Sequence, residues 1–462
     1  MRVLLIRYHQ KAIINSAMLE HVVNVEGVTP PLGLAYVAAA AEQAGHEVRI
    51  LDCQALGLTA EQVREEIKAF APQVVGINCM TPILPGVLEA AKITKDVDKE
   101  IKVVIGGPHV GIFPEETVSF SFIDFAVHGE GEITFVEFLD ALEHKKPMET
   151  VKGLVWKRDG KAVQNELREP IRDLDSLPLP ARHLLPMDKY NVIIMKYPMA
   201  TMIASRGCPF HCSYCFKDHA TRVYRTRSAK SVVDEMQMLV EKYHVREIGF
   251  YDDCWPNKQL LIDVCNEIIK RGLMVSWESP QRVDLVDPEL LKLAKRAGCL
   301  RFRFGVESGS PRLLSMIKKG NLKQIRNAFK WSQEAGLETF AFFMVGYPTE
   351  TKEDFQMTIE VAKEIKADWA LFGATMPMPG TRLWEHAINE YGYDKNYWHD
   401  WALGKTNEPV RLFFEDSKER VSIAYREFYL RPLFVWQKLT TIRGLYDLQR
   451  YWKGFQTVRQ MR

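Results

Sequence analysis

The sequence lacks any apolar run long enough to cross a membrane, which takes about 18 consecutive apolar residues. The apolar run in residues 1–7 is too short for a signal peptide and is typical of a first strand. The eight cysteines show no even ladder of spacings, so a disulfide framework is not indicated. Charge of neither sign dominates, since the formal net charge is +2. These features predict a cytoplasmic protein in a reducing compartment.

Three of the eight cysteines lie close together and carry the strongest chemical signal. Cys208, Cys212 and Cys215 are separated by three and then two residues, in a loop that follows the apolar run 199–203. Thiolates bind zinc, copper(I) or iron–sulfur clusters. A cubane cluster needs four ligands, so three cysteines would leave one iron open to a substrate. The alternative is a structural zinc site completed by His211 or His219.

The first 150 residues alternate between β-type runs and helical patterns. Strands are predicted at residues 3–7, 47–52, 74–78, 102–105 and 125–127, and helices at 32–44, 60–70, 86–96 and 133–143. This alternation predicts a parallel, doubly wound sheet, which binds ligands at the carboxyl ends of its strands. The loops there are 8–10, 79–82, 106–109 and 128–132, and two of them are glycine-rich, so backbone can closely approach a bulky ligand.

Residues 151–198 are predicted to be a hairpin and a linker between two domains. Residues 153–163 alternate apolar and polar side chains around Asp159-Gly160, which favours a hairpin, interpreted here as a covering ribbon. The proline-containing run 174–180 favours an extended linker.

The β and α alternation resumes in residues 199–395. Strands are predicted at 199–204, 247–251, 274–278, 300–306, 339–345 and 369–375, and helices at 229–243, 258–271, 288–297, 322–335 and 352–365. Six such units favour an open portion of a (β/α) barrel, whose functional groups lie at the carboxyl ends of the strands. Acidic side chains are predicted there at Asp252, Asp253, Glu278 and Glu307, although helix capping explains any one of them equally well.

The cysteine motif, Cys-x-x-x-Cys-x-x-Cys with Tyr214 before the third cysteine, resembles that of the radical S-adenosylmethionine (SAM) superfamily. The resemblance implies a [4Fe–4S] cluster held by Cys208, Cys212 and Cys215, with SAM bound to the fourth iron. Residues 305–308 are similar to the Gly-x-Glu-Ser of the family's fourth strand, whereas the usual Gly-Gly-Glu is absent near residue 252. The implied SAM contacts are Tyr214, Asp252, Asp253, Arg282, Glu307 and Ser308.

The first domain, placed before such a barrel, resembles the cobalamin-binding domain of B12-dependent radical SAM enzymes. The Asp-x-His-x-x-Gly cobalamin signature is missing, as in the branch where no protein histidine need lie beneath cobalt. The loop 78–82 is predicted to face the corrin or the cobalt. His109 is the alternative axial ligand, although a histidine in a tight turn more often hydrogen-bonds the cobalamin tail or the backbone. The implied cobalamin contacts are Asn78, Thr81, Gly106, Gly107, Pro108, His109, Gly129, Glu130 and Gly131.

Together these resemblances imply a cobalamin-dependent radical SAM enzyme that generates a 5′-deoxyadenosyl radical and functionalises an unactivated carbon, with C-methylation as the leading reaction. One alternative is an oxidative or ring-forming reaction of the anaerobic Mg-protoporphyrin ester cyclase type, to which residues 425–432 are similar. Another is a non-catalytic corrinoid-binding or zinc-binding module. No catalytic residue is assigned.

The segment 396–462 is predicted to be helical. After residue 417 it has ten Lys or Arg, three Asp or Glu and nine aromatic residues, including Trp436, Tyr451 and Trp452. Such a helix suits an anionic membrane or a cover over an apolar substrate, and suits nucleic acid less well, although aromatic residues that cap the barrel are the simplest explanation. The predicted partners are a large apolar small-molecule substrate and an electron donor such as flavodoxin or ferredoxin, with peripheral membrane contact as an alternative.

Overall fold

A computed structural model describes residues 1–9, 27–432 and 434 of the chain. The N-terminal part forms a seven-stranded sheet in the spatial order β2-β1-β3-β4-β5-β6-β7. Its strands are β1 (Arg2–Arg7), β2 (Glu47–Asp52), β3 (Val74–Asn78), β4 (Lys102–Gly106), β5 (Phe125–Val127), β6 (Leu154–Arg158) and β7 (Lys161–Gln164). The first five are parallel, which confirms the predicted doubly wound sheet.

The hairpin of β6 and β7 extends this sheet and does not cover it. β6 pairs antiparallel with β5, with Val127 opposite Leu154, and β7 pairs with β6. The interpretation as a covering ribbon was therefore wrong. The free backbone edge of β5 offers the hairpin a full set of main-chain partners, which the alternating sequence pattern alone does not reveal.

Helices cover both faces of the first sheet. Because alternate residues of a strand point to opposite faces, Val3 and Leu5 belong to one apolar core and Leu4 and Ile6 to another. Burial on both sides is the usual state of a parallel sheet. The helices are α1 (Leu32–Gln43), α2 (Cys53–Leu56), α3 (Ala60–Phe70), α4 (Leu84–Val97), α5 (Pro114–Ser119) and α6 (Gly131–Glu143).

The second sheet has six parallel strands in sequential order and confirms the partial barrel. Its strands are β8 (Met199–Met202), β9 (Glu247–Phe250), β10 (Ser276–Gln281), β11 (Cys299–Glu307), β12 (Glu338–Val345) and β13 (Trp369–Ala374). The helices between and after them are α7 (Ala229–Tyr243), α8 (Lys258–Arg271), α9 (Pro288–Arg296), α10 (Pro311–Ile317), α11 (Leu322–Glu334) and α12 (Lys352–Glu364). Side-chain caps at Ser228, Asn257 and Thr351 start α7, α8 and α12.

Two tyrosines cap the outer edge of the open barrel. They lie on the last described helix, α15 (Ser417–Tyr429). The Tyr429 hydroxyl accepts a hydrogen bond from Ala370 N at 2.9 Å and donates to Ala370 O at 2.8 Å. The Tyr425 hydroxyl accepts from Phe372 N at 3.2 Å. Both tyrosines thus satisfy backbone groups of β13 that have no neighbouring strand.

The aromatic residues of α15 also pack into the barrel core. The Tyr425 and Phe428 rings lie 5.4 and 6.0 Å from the Phe372 ring. The simplest explanation of the aromatic residues after residue 417, that they cap the barrel, is confirmed for this helix. Trp436, Tyr451 and Trp452 lie outside the described residues. Within the described residues, no helix is long and apolar enough to span a bilayer.

The chain returns from the barrel to the first sheet through two helices, α13 (Arg382–Tyr391) and α14 (Tyr397–Ala402). Trp384, Trp398 and Trp401 join the apolar core on one face of that sheet. The indole N–H of Trp401 donates to Thr81 O at 2.8 Å. Residues that follow the barrel therefore help to build the cofactor edge of the first domain.

Glu350, in the loop after β12, is a buried carboxylate that links this loop to α15. It is 4% exposed, and its Oε2 accepts hydrogen bonds from Gly346 N at 2.9 Å and Arg420 Nη1 at 3.2 Å. Its Oε1 has no partner among the described residues. Burial raises the pKa of Glu350 to about 7, although Gly346 N–H and Arg420 lower it.

We expect Glu350 to contribute less to the stability of the folded protein as the pH rises from about 4.5 to about 7. In this range folded Glu350 holds a proton that the unfolded chain releases, which corresponds to about 3 kcal/mol at most. Urea denaturation at pH 5 and pH 8 should show a smaller pH effect for Glu350→Gln than for the parent. Glu360→Gln, an exposed change on α12, is the matched control. Equal pH effects in all three proteins would contradict this assignment.

Candidate active site between the two sheets

The three cysteines lie in one curled loop between β8 and α7. A short antiparallel ribbon of Ser205–Arg206 and Arg225–Thr226 closes the base of this loop, which we call the cysteine loop (residues 207–224). Gly207 has φ +78°, and a Cβ there would lie 2.4 Å from Val223 O. Only glycine therefore fits where the chain turns out of the ribbon toward Cys208.

Backbone contacts hold the cysteine loop in its curl. Cys215 N donates to Cys212 O at 3.2 Å, and Cys208 N donates to Thr221 O at 3.0 Å. The Lys217 ammonium donates to the carbonyl oxygens of Cys208 and Phe210. A cation at the centre of the curl thus holds both ends of the cysteine motif.

The three thiols fit an iron–sulfur cluster in their chemistry. All three are free, and Cys215 is the exposed one. Enclosure raises the pKa of the Cys215 thiol to about 11; Lys217 opposes this, while Asp253 and the other two thiols raise it further. The sulfurs therefore lie near enough to repel one another as thiolates, a repulsion that bound iron would relieve. Among the described residues, no three His, Cys, Asp or Glu side chains already converge on one metal position.

Tyr214 and Glu307 meet, and a lysine joins them. The Tyr214 hydroxyl donates to Glu307 Oε1 at 2.8 Å, and Lys319 Nζ lies 3.1 Å from the same hydroxyl and forms an ion pair with Glu307. Burial, and then Glu307, raises the pKa of Tyr214 well above its usual range. A Cβ at Gly305 would lie 2.2 Å from Lys319 Nζ, so glycine is what admits the lysine. No motif marks Lys319, and sequence reasoning missed it.

Arg282 reaches the cysteine loop from the end of β10. Its guanidinium is paired with Asp284 at 2.8 Å and lies 3.9 Å from the centroid of the Phe210 ring. Its Nη1 is 3.9 Å from Cys212 Sγ. The structure thus brings Arg282 to the loop together with Tyr214 and Glu307.

Two of the predicted SAM contacts have protein partners instead of an open face. Asp252 is buried and accepts hydrogen bonds from Ser205 N at 2.5 Å and Ser205 Oγ at 2.6 Å, so it holds the ribbon against β9. Burial raises its pKa to about 6. Ser308 is buried, and its Oγ lies 3.1 Å from Thr358 Oγ1. Asp253, by contrast, is exposed. The role of each in SAM binding stays a prediction.

The sequence predicted that Glu278 lies at a strand end, but the structure places it inside a strand. β10 continues to Gln281, and Glu278 is buried inside the barrel in an ion pair with Arg301. Arg301 also contacts Glu247 at 3.4 Å and Glu338 at 2.8 Å. The arginine neutralises the carboxylate, so the strand can continue through a charged residue.

The carboxyl edge of the first sheet offers open space and an unpaired polar atom. A Cβ at Gly106 or at Gly129 would meet no atom within 4 Å. Asn78 Oδ1 is buried without a hydrogen-bond partner among the described residues. At Gly107, with φ +105°, a Cβ would lie 2.7 Å from Cys79 O, so the backbone turns tightly there. A broad ring with polar substituents fits this edge.

His109 lies beneath this edge and is fully buried. Its Nδ1 is 3.1 Å from Thr81 Oγ1, and its Nε2 has no partner among the described residues. Burial lowers the pKa of His109 to about 4, so the ring is neutral. Because the His109 ring has no exposed surface, it supports the prediction that no histidine lies beneath the cobalt. Pro108, beside it, is exposed.

Glu130 and Gly131 are packed against protein. The Glu130 carboxylate accepts a hydrogen bond from Ile171 N at 2.7 Å and pairs with arginines of the ribbon. A Cβ at Gly131 would lie 3.0 Å from Val37 on α1. Of the Gly-Glu-Gly stretch, Gly129 is thus the residue that borders open space. Cobalamin contact by Glu130 and Gly131 stays a prediction without direct support from these contacts.

The cysteine loop lies against both sheets. A Cβ at Gly111, after β4, would lie 3.2 Å from Asp218 Oδ2 in the loop. Ser213 O accepts from Leu383 N at 2.9 Å, and Ser213 Oγ lies 3.0 Å from the Tyr347 hydroxyl at the end of β12. The two carboxyl edges therefore meet across the three cysteines.

Known families match both parts of the chain. Residues 21–139 match the B12 binding domain, and residues 202–362 match the Radical SAM superfamily. The chain is 38% identical over 424 residues to an uncharacterized methyltransferase of Pyrococcus horikoshii, with 90% of each chain covered. It is 30% identical over 427 residues to the anaerobic magnesium-protoporphyrin IX monomethyl ester cyclase of Rubrivivax gelatinosus, covering 89% of this chain and 76% of that one. The chain belongs to the cobalamin-dependent radical SAM enzymes.

The fold of this radical SAM enzyme also has a close counterpart among solved structures. The methyltransferase TsrM from Kitasatospora setae, solved with cobalamin and a [4Fe–4S] cluster, matches with a TM-score of 0.71 and 16% identity, covering 100% of this chain and 98% of that one. Cobalamin, SAM and a [4Fe–4S] cluster are the cofactors of this enzyme. The zinc and binding-module alternatives are thereby set aside.

Anaerobic reconstitution should load about four irons per chain, and Cys208→Ala should lose the cluster and all SAM cleavage. Because the cysteine is in the barrel, the variant should still bind cobalamin. The visible absorption bands of the bound cofactor would show this. Cys265→Ala, a buried change on α8, is the control and should keep its iron. Stoichiometric zinc without iron in anaerobically isolated protein would contradict the assignment of an iron–sulfur cluster.

The cobalt(II) form should show no strongly coupled axial nitrogen in its paramagnetic resonance spectrum, because the His109 side chain has no exposed surface. His109→Ala and His128→Ala, the half-exposed histidine of the same edge, should then give the parent spectrum. A nitrogen splitting that is present in the parent and lost only in His109→Ala would make His109 the axial ligand.

Proposed function

We propose that the enzyme transfers a methyl group to an unactivated carbon of a small-molecule substrate. The observation that carries this proposal is the position of the cysteine loop between the carboxyl edges of two parallel sheets. A Cβ built on Gly111 of the cobalamin domain would lie 3.2 Å from Asp218 Oδ2 of the loop, so the two proposed cofactor sites would share one cleft. Radical chemistry started in the barrel and a methyl group held by the other domain can then act on the same substrate.

When bound, the cluster would supply the electron for SAM cleavage, and cobalamin would supply the methyl group. Cys208, Cys212 and Cys215 are the proposed cluster ligands. Residues around the cysteine loop would bind and orient SAM. Glu307, held by Tyr214 and Lys319, presents a carboxylate at the strand end for the ribose hydroxyls or the amino group. Arg282 keeps a positive charge beside the thiolates.

We infer that the substrate is largely apolar, because one wall of the barrel interior is apolar. On β12 the residues Ala341, Phe343 and Val345 are buried among the helices. The alternate residues of β12 and β13 face the interior and are half-buried: Phe340, Phe342, Met344, Trp369 and Leu371. A Cβ at Gly373 on the same wall would meet nothing within 4 Å. Covering such a wall with ligand contributes about 25 cal/mol per Å².

Ring formation is the second candidate reaction. The cyclase of Rubrivivax gelatinosus is 30% identical over 427 residues, which cover 89% of this chain. Methyl transfer is favoured because the relative from Pyrococcus horikoshii, which is named an uncharacterized methyltransferase, is 38% identical with 90% of each chain covered. The two reactions differ in what happens after the radical forms.

The remaining partners belong to the same proposal. A flavodoxin or ferredoxin would supply the electron for the cluster, near the exposed Cys215. Eight free cysteines are in keeping with a reducing compartment. Peripheral membrane contact rested on the basic residues after residue 417, most of which lie outside the described residues. The part that is described, α15, packs on the barrel.

The experiment is product analysis of SAM with a labelled methyl group, using reconstituted holoenzyme under reducing, anaerobic conditions and a small-molecule extract as the substrate source. Methyl transfer gives S-adenosylhomocysteine and 5′-deoxyadenosine together, with the label in a new carbon compound. Cyclisation gives only 5′-deoxyadenosine. Cys208→Ala holoenzyme is the control and should give neither. Sustained 5′-deoxyadenosine formation with all the released label in methionine, and none in a new compound, would overturn methyl transfer.

A further inference from the structure

Four buried charged residues connect the cobalamin domain to the cysteine loop. Arg206 pairs with Glu130 at 2.8 Å through Nη1 and with Glu132 at 2.6 Å through Nη2. Arg225 Nη1 pairs with the other oxygen of Glu130 at 2.6 Å. We call Glu130, Glu132, Arg206 and Arg225 the arginine clasp.

The clasp has equal numbers of positive and negative charges, and none of its buried side-chain nitrogen or oxygen atoms lacks a hydrogen-bond partner among the described residues. Its four side chains are between 6% and 16% exposed. Arg225 also donates to Ile171 O at 2.8 Å, and Glu130 accepts from Ile171 N at 2.7 Å, so the linker between the domains is held in the same network. Although burial raises it, the arginines hold the pKa of Glu130 below its usual range. The carboxylate therefore stays ionised.

The clasp lies next to both cofactor sites. Glu130 stands between Gly129, which borders the open edge of the first sheet, and the start of α6. Arg206 and Arg225 are opposite each other in the ribbon that closes the cysteine loop. Arg206 precedes Gly207 and Cys208 directly. Any rotation of one domain on the other must therefore break contacts within two residues of a cluster cysteine.

We propose that the clasp residues are positioning residues that fix the cobalamin edge over the cysteine loop, and that Glu130 acts through Arg206 and Arg225 and not as a cobalamin contact. This rests on the proposed function, because alignment matters only if one substrate meets both cofactors. An arginine whose two Nη atoms bind two different carboxylates fixes orientation as well as distance. An apolar contact of similar size would hold the domains together without a preferred angle.

The test replaces one arm of the clasp by apolar residues of similar size, with Glu132→Leu and Arg206→Met in one chain. Such replacements often keep a protein stable, so folding should survive. With titanium(III) citrate as the reductant and bound cobalamin, S-adenosylhomocysteine needs SAM and cobalamin to meet across the domains, whereas 5′-deoxyadenosine needs only the barrel. In the double variant, the yield of S-adenosylhomocysteine should fall by about tenfold or more relative to that of 5′-deoxyadenosine. The reason is that a misplacement of reacting groups by about 1 Å lowers the reaction rate on the order of a hundredfold.

Hydrogen exchange of the unloaded protein is the second measurement. Amides of residues 127–132, 169–172 and 204–207 should exchange faster in the double variant, because the domains move against each other there. If the double variant fails to fold, the single variant Glu130→Gln replaces it. It should also lower the ratio of S-adenosylhomocysteine to 5′-deoxyadenosine and speed up exchange of the same amides. The control pair is Glu137→Gln with Arg168→Met, a bridge that does not reach the barrel.

Three results would overturn the clasp. The first is loss of cobalamin binding, which would make these residues cofactor contacts. The second is an equal fall of both SAM products. The third is unchanged hydrogen exchange in a folded variant. If the parent enzyme formed no S-adenosylhomocysteine, the proposed function would fail, while the exchange measurement would still decide whether the clasp holds the domains.

Discussion

An open barrel must satisfy the backbone groups of two edge strands, and the rest of this structure depends on how that is done. At β13 the hydroxyls of Tyr425 and Tyr429 take the place of a neighbouring strand. At β8 the Arg182 guanidinium donates to Thr201 O at 2.7 Å and pairs with buried Glu235. Side chains, not further strands, therefore end the sheet. Six strands suffice, and their carboxyl ends remain free to meet a second domain.

Charge is arranged in layers along the barrel. Near the amino ends of the strands, Arg301 gathers Glu247, Glu278 and Glu338 into a buried network. At the carboxyl end, Glu307 on the same strand pairs with Lys319 beside the cysteine loop. Between these layers the inner faces of β12 and β13 are apolar. The barrel interior is thus charged at the amino ends and at the carboxyl ends of its strands. The apolar wall of β12 and β13 lies between these layers, where a substrate would approach the radical.

The elements that the sequence predicted best are those whose pattern is local. α7 and α8 fall on the predicted residues because apolar periodicity and a capping Ser228 or Asn257 mark them. The cysteine loop was found from spacing alone. The partners of Glu130, by contrast, lie 76 and 95 residues away, and the contact of Trp401 with Thr81 joins residues 320 apart. No local pattern encodes such pairs, so the sequence could not predict the arginine partners of Glu130, and Lys319 was missed.

The tyrosine caps have a consequence for how the chain is made. Tyr425 and Tyr429 follow the backbone groups they cover by 53 and 59 residues. A ribosome therefore releases β13 well before its cover, and during that interval the strand presents bare amide and carbonyl groups to any other chain nearby. Premature termination between β13 and α15 would leave this edge permanently exposed. Such fragments would be lost to aggregation, even though every cluster cysteine and every glycine of the cobalamin edge would be present in them.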